Sequence, residues 1–188
     1  MKLLLGLGNP GKDYEATRHN VGAMVVAALA ARLSVTLDRT DKVLADIGRA
    51  GDLILAKPTT FMNNSGQSAS ALLSWFKLEP VDLVVIHDDL DVPLGEVQIK
   101  FGGGTAGHNG VASVAYHLAT PDFWRVRIGI GPQQPELISK RVADTSGFVL
   151  APFHPDKRPV VDQVINLVCS HIESLNLWEP ATLRASER

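Results

Sequence analysis

Residues 2–20, KLLLGLGNPGKDYEATRHN, decide the fold of this chain. The apolar run Leu3–Leu5 is too short for a helix core and is typical of a buried strand. The glycines and the proline of Gly6–Gly11 then force a turn. Because open α/β sheets usually bind ligands at the carboxyl ends of their strands, we expect a functional site at this turn.

A dense set of polar side chains follows that strand and precedes an apolar helix. The set consists of Asn9, Tyr14, Arg18, His19 and Asn20. His19 is the strongest candidate for chemistry, because an imidazole with a pKa of about 6.5 accepts a proton near neutral pH. The alternative for His19 is a residue at the start of a helix that takes part in no reaction.

Length, charge and cysteine content limit the class of protein. A chain of 188 residues predicts one domain, residues 1–188. The net charge of −2 argues against a generally basic nucleic-acid coat but permits a local basic patch. The one cysteine, Cys169, cannot form an internal disulfide, so we expect a reducing, cytoplasmic location. The apolar run Ala23–Ala31 is shorter than the ~20 residues that span a bilayer and predicts a buried helix.

Strand and helix patterns alternate along the chain, which predicts an α/β sandwich with a mixed sheet. Helices are expected at about His19–Leu33, Gln67–Phe76 and Lys157–Leu177, and His108–Gly110 is expected to lead into another that runs to about Leu118. After the first strand, further strands are expected at Val35–Leu37, Val43–Ile47, Leu53–Ala56, Val81–Ile86, Glu96–Phe101 and Trp124–Ile130. His87–Asp91 is predicted to be an acidic loop, Gly102–Gly107 a mobile or closely approached loop, and residues 178–188 a frayed tail.

The segment Gly6–Gly11 also matches the G-x-G-x-x-G pattern of dinucleotide sites, with Asp38 farther along the chain. A nicotinamide oxidoreductase is therefore one alternative. The helical periodicity argues against it, because it begins only at Val21 and not within the glycine loop.

Amides and imidazoles recur after four of the predicted strands. The residues are Asn9 and His19, Asn63 and Asn64, His87 and Asp88, and His108 and Asn109. Amide side chains both donate and accept, which suits a peptide group or a developing oxyanion. Asp88 is the best candidate for a carboxylate that orients a histidine. For each single amide, a loop cap or turn is the alternative.

Other chemistries find less support in the sequence. His87–Asp91 could hold a divalent metal, but no H-E-x-x-H pattern accompanies it, and no G-x-S-x-G pattern indicates a serine nucleophile. Water activated by histidine, without metal or cofactor, is the simplest remaining chemistry. Five basic residues form either a solvated face or a phosphate-binding surface: Lys100, Arg125, Arg127, Lys140 and Arg141.

Four segments together resemble one family, the bacterial-type peptidyl-tRNA hydrolases. They are Gly6–Gly11 with Tyr14 and Thr17–Asn20; Lys57–Gly66; His87–Asp91 with Pro93 and Gly95; and Gly102–Gly110 followed by Arg125–Gly131. The resemblance covers roughly residues 2–150. The chain departs from it at Thr105-Ala106, where the family commonly has His-Gly.

The resemblance implies a single-domain α/β/α sandwich with a twisted, mixed, mostly parallel sheet. It implies a monomer that needs no cofactor and no metal, has no membrane association, and cleaves the ester between a peptide and the 3′ end of tRNA. By position, His19 matches the general base, Asp88 its partner and Asn9 an amide at the reaction centre. Substrate-binding positions match Tyr14, Phe61, Asn63 and Asn109, and tRNA-contact positions match Lys100 and Arg127. An RNA-binding module without catalysis is the second alternative.

Overall fold

The computed structural model describes residues 1–131, 145–174 and 179–185. Its strands are β1 (Lys2–Gly6), β2 (Asp38–Thr40), β3 (Ala45–Ala50), β4 (Leu53–Pro58), β5 (Leu83–Pro93), β6 (Glu96–Phe101), β7 (Trp124–Gly131) and β8 (Ala181–Arg184). Its α-helices are α1 (Val21–Arg32), α2 (Ser65–Phe76), α3 (Asn109–Leu118), α4 (Thr145–Leu150) and α5 (Arg158–Ser174).

The strands form one sheet in the order β2-β3-β4-β1-β5-β7-β6-β8. The four central strands β4, β1, β5 and β7 pair in parallel, whereas the outer pairings are antiparallel. Of the eight strands, only β3 and β6 run against the direction of the others. The predicted α/β class with a mixed, mostly parallel sheet is therefore confirmed.

Apolar side chains cover both faces of the central strands. On one face Leu4, Val84 and Val126 pack with residues of α1 and α5. On the other face Leu5 and Val85 pack with residues of α2 and α3. These near-continuous apolar strands are typical of a parallel sheet that helices cover on both sides.

Two glycines allow α1 to lie directly against the central strands. A Cβ on Gly22 would overlap the carbonyl oxygen of Ile86, and one on Gly6 would overlap the carbonyl oxygen of Gly22. Gly6 therefore serves the packing of β1 on α1. Since α1 begins at Val21, well beyond Gly11, the helix does not start within the glycine turn as a dinucleotide site requires.

Three expectations about secondary structure were wrong. His87–Asp91 is not a loop: β5 continues to Pro93 because β7 pairs with it through Asp89. The strand expected at Val35–Leu37 does not form, and the short strand β2 lies just beyond it, at Asp38–Thr40. Helix α4 was not anticipated. The expected frayed tail contributes β8, because Ala181–Arg184 pairs with β6.

Some expectations lie outside the described residues. They concern Lys140, Arg141, the loop after Gly131 and the last residues of the predicted C-terminal helix. Within the described ranges, no helix combines the length and the apolar character that a bilayer crossing requires. One sheet takes strands from both ends of the chain, and the single-domain organisation stays a prediction.

Candidate active site

A cleft of about 500 Å³ lies at the carboxyl ends of the central strands. Six of the residues predicted to be catalytic or substrate-binding line it: Asn9, His19, Phe61, Asn63, Asp88 and Asn109. They come from four separate segments of the chain, which the parallel strands bring to one edge of the sheet. The apolar part of the wall includes Leu90, Val149 and Leu150.

His19 lies in a 3₁₀ turn, Arg18–Asn20, immediately before α1. Its Nδ1 is 2.9 Å from Oδ1 and 3.1 Å from Oδ2 of Asp88. An ionised carboxylate only accepts hydrogen bonds, so Nδ1 carries the proton and donates it. Nε2 is then the nitrogen that can accept a proton. The side chain is 11% exposed and lines the cleft, so this nitrogen is accessible from the cleft.

His108 is the site residue whose role the sequence did not reveal. Its Nδ1 accepts from the backbone N–H groups of Gly110, at 3.1 Å, and Val111, at 3.2 Å, and so caps α3. Nε2 therefore carries the proton and donates to Oδ1 of Asp88 at 2.8 Å. A histidine directly before a helix is the one sequence signal for this cap, and it is weak because Ser, Thr, Asp and Asn are the usual caps.

Asp88 thus accepts hydrogen bonds from two imidazoles while it is almost fully buried. Burial alone would raise the pKa of Asp88, but His108 and the two hydrogen bonds outweigh burial and hold it well below its usual range. The carboxylate therefore stays ionised throughout the neutral range. It can fix the orientation of His19 and stabilise the imidazolium that forms when Nε2 takes a proton.

His87, the residue before Asp88, is buried in the protein. Its Nδ1 donates to the carbonyl oxygen of Asp88 at 2.7 Å, and its ring meets the ring of His108 edge-on at 4.9 Å. Nε2 is buried and has no hydrogen-bond partner among the described residues. Burial, together with neighbouring His108, lowers the pKa of His87 to about 3. His87 therefore remains neutral and is not a second proton acceptor for the cleft.

Asn9 belongs to a network of amides that joins three segments. Its backbone N–H donates to Oδ1 of Asn20, and Nδ2 of Asn20 donates back to the carbonyl oxygen of Asn9, each at 2.9 Å. Its own Oδ1 accepts from the backbone N–H of Met62 at 2.8 Å. Since this contact identifies the oxygen of the Asn9 amide, the NH₂ group is the end that can donate into the cleft.

The remaining predicted substrate residues surround this centre. Asn63 and Asn109 are exposed residues of the cleft lining, and Asn109 is the first residue of α3. Phe61 is a large exposed apolar side chain of the same lining. The ring of Tyr14 meets the ring of Phe61 edge-on at 6.3 Å, so Tyr14 adjoins the cleft through Phe61.

Arg18 ties the turn that carries His19 to the wall of the cleft. Its guanidinium lies over the ring of Phe148 at 4.1 Å and donates to the carbonyl oxygens of Phe148 and Ala151, each at 3.1 Å. These contacts hold the C-terminal end of α4, which contributes Val149 and Leu150 to the wall. Arg18 therefore stabilises the part of the cleft wall that α4 forms, without lining the cleft itself.

The predicted tRNA-contact residues lie beside the cleft. Arg127 donates to Oδ2 of Asp89 at 2.7 Å and to Gln98 at 2.6 Å, and Asp89 itself lines the cleft. Burial together with neighbouring Arg127 and Arg125 lowers the pKa of Lys100. Arg125, which the sequence grouped with them, is only 1% exposed, so it cannot reach a phosphate.

His19, Asp88 and His108 also form the one group in the described chain whose ligand atoms could approach a metal ion together, within 4.8 Å. Ligation through Nε2 of His108 would require the proton to move to Nδ1. Nδ1 faces two backbone N–H donors, so a proton there would break the α3 cap. The present hydrogen bonds therefore favour paired imidazoles over a metal centre.

Comparison with known proteins gives a consistent picture. The family model described as peptidyl-tRNA hydrolase matches residues 3–184. The peptidyl-tRNA hydrolase of Thiobacillus denitrificans is 37% identical over 100% of this chain and 91% of its own length. That of Aquifex aeolicus is 43% identical over 88% of this chain and 84% of its own length. The crystal structure of the Acinetobacter baumannii peptidyl-tRNA hydrolase has a TM-score of 0.81 at 35% identity, covering 92% of this chain and 87% of that one.

The buried, neutral state of His87 predicts a specific pH dependence of stability. Between pH ~6.5 and ~3 the unfolded chain binds a proton at this residue that the folded chain excludes, so stability falls as the pH falls. In urea titrations, His87→Gln removes this loss. From pH 7 to pH 5 the wild type should lose about 2 kcal/mol of unfolding free energy relative to the variant. His154→Gln, at an exposed position, controls for the loss of a histidine. A pH-independent difference between wild type and His87→Gln would contradict the assignment.

Proposed function

The chain belongs to the peptidyl-tRNA hydrolase family, and on this basis we propose that it cleaves the ester between the peptide and the 3′ end of tRNA. The products are a free peptide and a tRNA that can be aminoacylated again. N-blocked aminoacyl-tRNA is the smallest substrate of this kind. Such an ester needs an activated water, a donor to its carbonyl oxygen and a proton for the leaving ribose oxygen.

The observation that carries this proposal is the pairing of Asp88 with two imidazoles in an amide-lined cleft. Nε2 of His19 takes a proton from water as the water oxygen bonds to the ester carbon. Asp88 stabilises the imidazolium through the Nδ1–H hydrogen bond. When the tetrahedral intermediate collapses, Nε2–H returns the proton to the ribose oxygen as its bond to carbon breaks. General base catalysis of this kind contributes ~10²–10⁴-fold.

Neutral donors stabilise the charge that develops on the carbonyl oxygen. The NH₂ group of Asn9 is available for this, because its oxygen is occupied by the backbone N–H of Met62. A positioned donor to an oxyanion is typically worth about 3 kcal/mol. His108 takes no proton in this reaction, because its Nδ1 already accepts hydrogen bonds at the start of α3. Its Nε2–H donates a hydrogen bond to Asp88.

The other residues bind substrate without selecting its sequence. Asn63 and Asn109 present amides that pair with the peptide main chain or hold the attacking water, and Phe61 with Tyr14 provides an apolar surface near the tRNA 3′ end. Amides recognise the peptide groups that all substrates share. This suits an enzyme that clears many different peptides from tRNA, and we place it in the cytoplasm as a monomeric single domain.

Replacement of either member of the His19–Asp88 pair tests the mechanism. His19→Ala removes the base and should lower kcat by ~10²–10⁴-fold. Asp88→Asn presents an NH₂ group where two imidazoles donate, so it should lower kcat by a similar factor with little change in KM. His117→Ala, on α3 and outside the cleft lining, is the matched control and should keep wild-type turnover. Near wild-type turnover of folded His19→Ala would reject the role of His19.

The salt dependence of tRNA binding tests the proposed contact between Lys100 and a tRNA phosphate. Each lost phosphate contact lowers the slope of log affinity against log salt by ~1. Lys100→Ala should therefore weaken tRNA binding and reduce the slope by about one unit, as measured with catalytically inactive protein at several salt concentrations. Lys2→Ala is the control, because Lys2 starts β1, three strands away from β6, and contacts Val81 and Asp82 outside the cleft lining. An unchanged slope for Lys100→Ala would place the contact elsewhere.

A further inference from the structure

Arg125 is a buried cation whose hydrogen bonds go to backbone carbonyls. It lies on β7, is 1% exposed, and its guanidinium covers the ring of Phe123 at 4.7 Å. It donates to the carbonyl oxygens of Gly104, of Gly103 at 2.7 Å and of Pro121 at 3.3 Å. No carboxylate of the described residues bonds to it. A buried charge is costly unless it is hydrogen-bonded, so these carbonyl contacts are what stabilises it.

Apart from the Arg125 contacts, two backbone hydrogen bonds order the segment: Gly102 N–H donates to the carbonyl oxygen of Phe123 at 3.0 Å and His108 N–H to that of Thr105 at 2.9 Å. Gly102, Gly103 and Gly107 all adopt positive φ angles of 64°, 97° and 78°. Around Gly104 and Gly107 there is open space where a side chain would stand. A chain of glycines loses more conformational entropy on ordering than other residues and offers no side chains for packing. The two carbonyl contacts from Arg125 therefore fix the start of the loop.

This loop leads directly into the cleft. Ala106, Gly107, His108 and Asn109 all belong to the cleft lining. At its far end, His108 donates to Asp88 and caps α3, while Asn109 presents its amide. Between the Arg125 anchor and the α3 cap, the loop spans only a few residues. Its position relative to Asp88 is thus set from both ends.

We propose that Arg125 is a positioning residue for the hydrolysis reaction: by holding the carbonyls of Gly103 and Gly104, it fixes the loop wall of the cleft and the approach of His108 and Asn109 to the reaction centre. This rests on the proposed function. The two terminal nitrogens of a guanidinium bond two adjacent carbonyls in one plane. A lysine ammonium is a single point of contact, so lysine does not replace arginine here.

Arg125→Lys tests the proposal through kinetics and hydrogen exchange together. We expect kcat to fall about tenfold, since small misplacements of a catalytic wall have effects of this size or larger. KM should change less than about threefold, because Arg125 is buried and does not itself contact substrate. Backbone amides of residues 103–107 should exchange faster than in the wild type, while those of the central strands are unchanged.

The control is Arg32→Lys, which disturbs an exposed, hydrogen-bonded arginine outside the cleft lining. Arg32 lies at the end of α1 and bonds Glu173, Ser170 and the carbonyl of Asn166 on α5. Its replacement should lower the unfolding temperature but leave kcat and the exchange of the loop unchanged. If Arg32→Lys lowers kcat to the same degree, the effect of Arg125 is one of general stability and the proposal is wrong.

Two further outcomes are decisive. Should Arg125→Lys fail to fold, Arg125→Gln removes the buried charge and keeps an NH₂ donor, and the same loss of kcat is expected. Wild-type kcat and wild-type loop exchange in the folded variant would overturn the proposal. If the wild type itself does not hydrolyse peptidyl-tRNA, the proposed function fails, whereas the exchange measurement still tests whether Arg125 holds the loop.

Discussion

A single buried carboxylate, Asp88, organises this active site by accepting hydrogen bonds from His19 and His108. The requirement that both imidazoles donate to it determines where every proton lies. His108 must donate through Nε2 because its other nitrogen caps α3, and His19 must donate through Nδ1. The remaining nitrogen of His19 is then the proton acceptor. The cap of α3 thus fixes the tautomer of His108. His108 therefore does not compete with His19, the proposed base, for a proton.

Contacts elsewhere in the fold hold His19 and Asp88 in position. Glycine contacts let α1 pack closely on β1 and β5, so the turn that holds His19 comes to the end of the strand that holds Asp88. Arg18 connects that turn to α4, and the Asn9–Asn20 pair connects it to the loop after β4. These polar contacts join segments that are distant in the chain and so connect the parts of the cleft wall.

Local patterns predicted much of the fold, and contacts between distant segments account for what they missed. Alternation located β6 at its observed bounds, and the expected position of Asp88 just after a strand indicated its pairing with His19, although β5 continues past it. The strand character of His87–Asp91 depends on pairing with β7, and β8 depends on pairing with β6. Likewise, the hydrogen bond from His108 to Asp88 and the burial of Arg125 follow from tertiary packing, which composition and spacing do not encode.

Nitrogen NMR of the ¹⁵N-labelled histidine rings at neutral pH tests the central claim most directly, because the chemical shifts of the two ring nitrogens distinguish the tautomers. The account predicts that His19 carries its proton on Nδ1 and His108 on Nε2, and that Asp88→Asn disturbs both rings. A proton on Nε2 of neutral His19, or on Nδ1 of neutral His108, would contradict it, because Asp88 would then lack the two donors on which the mechanism depends.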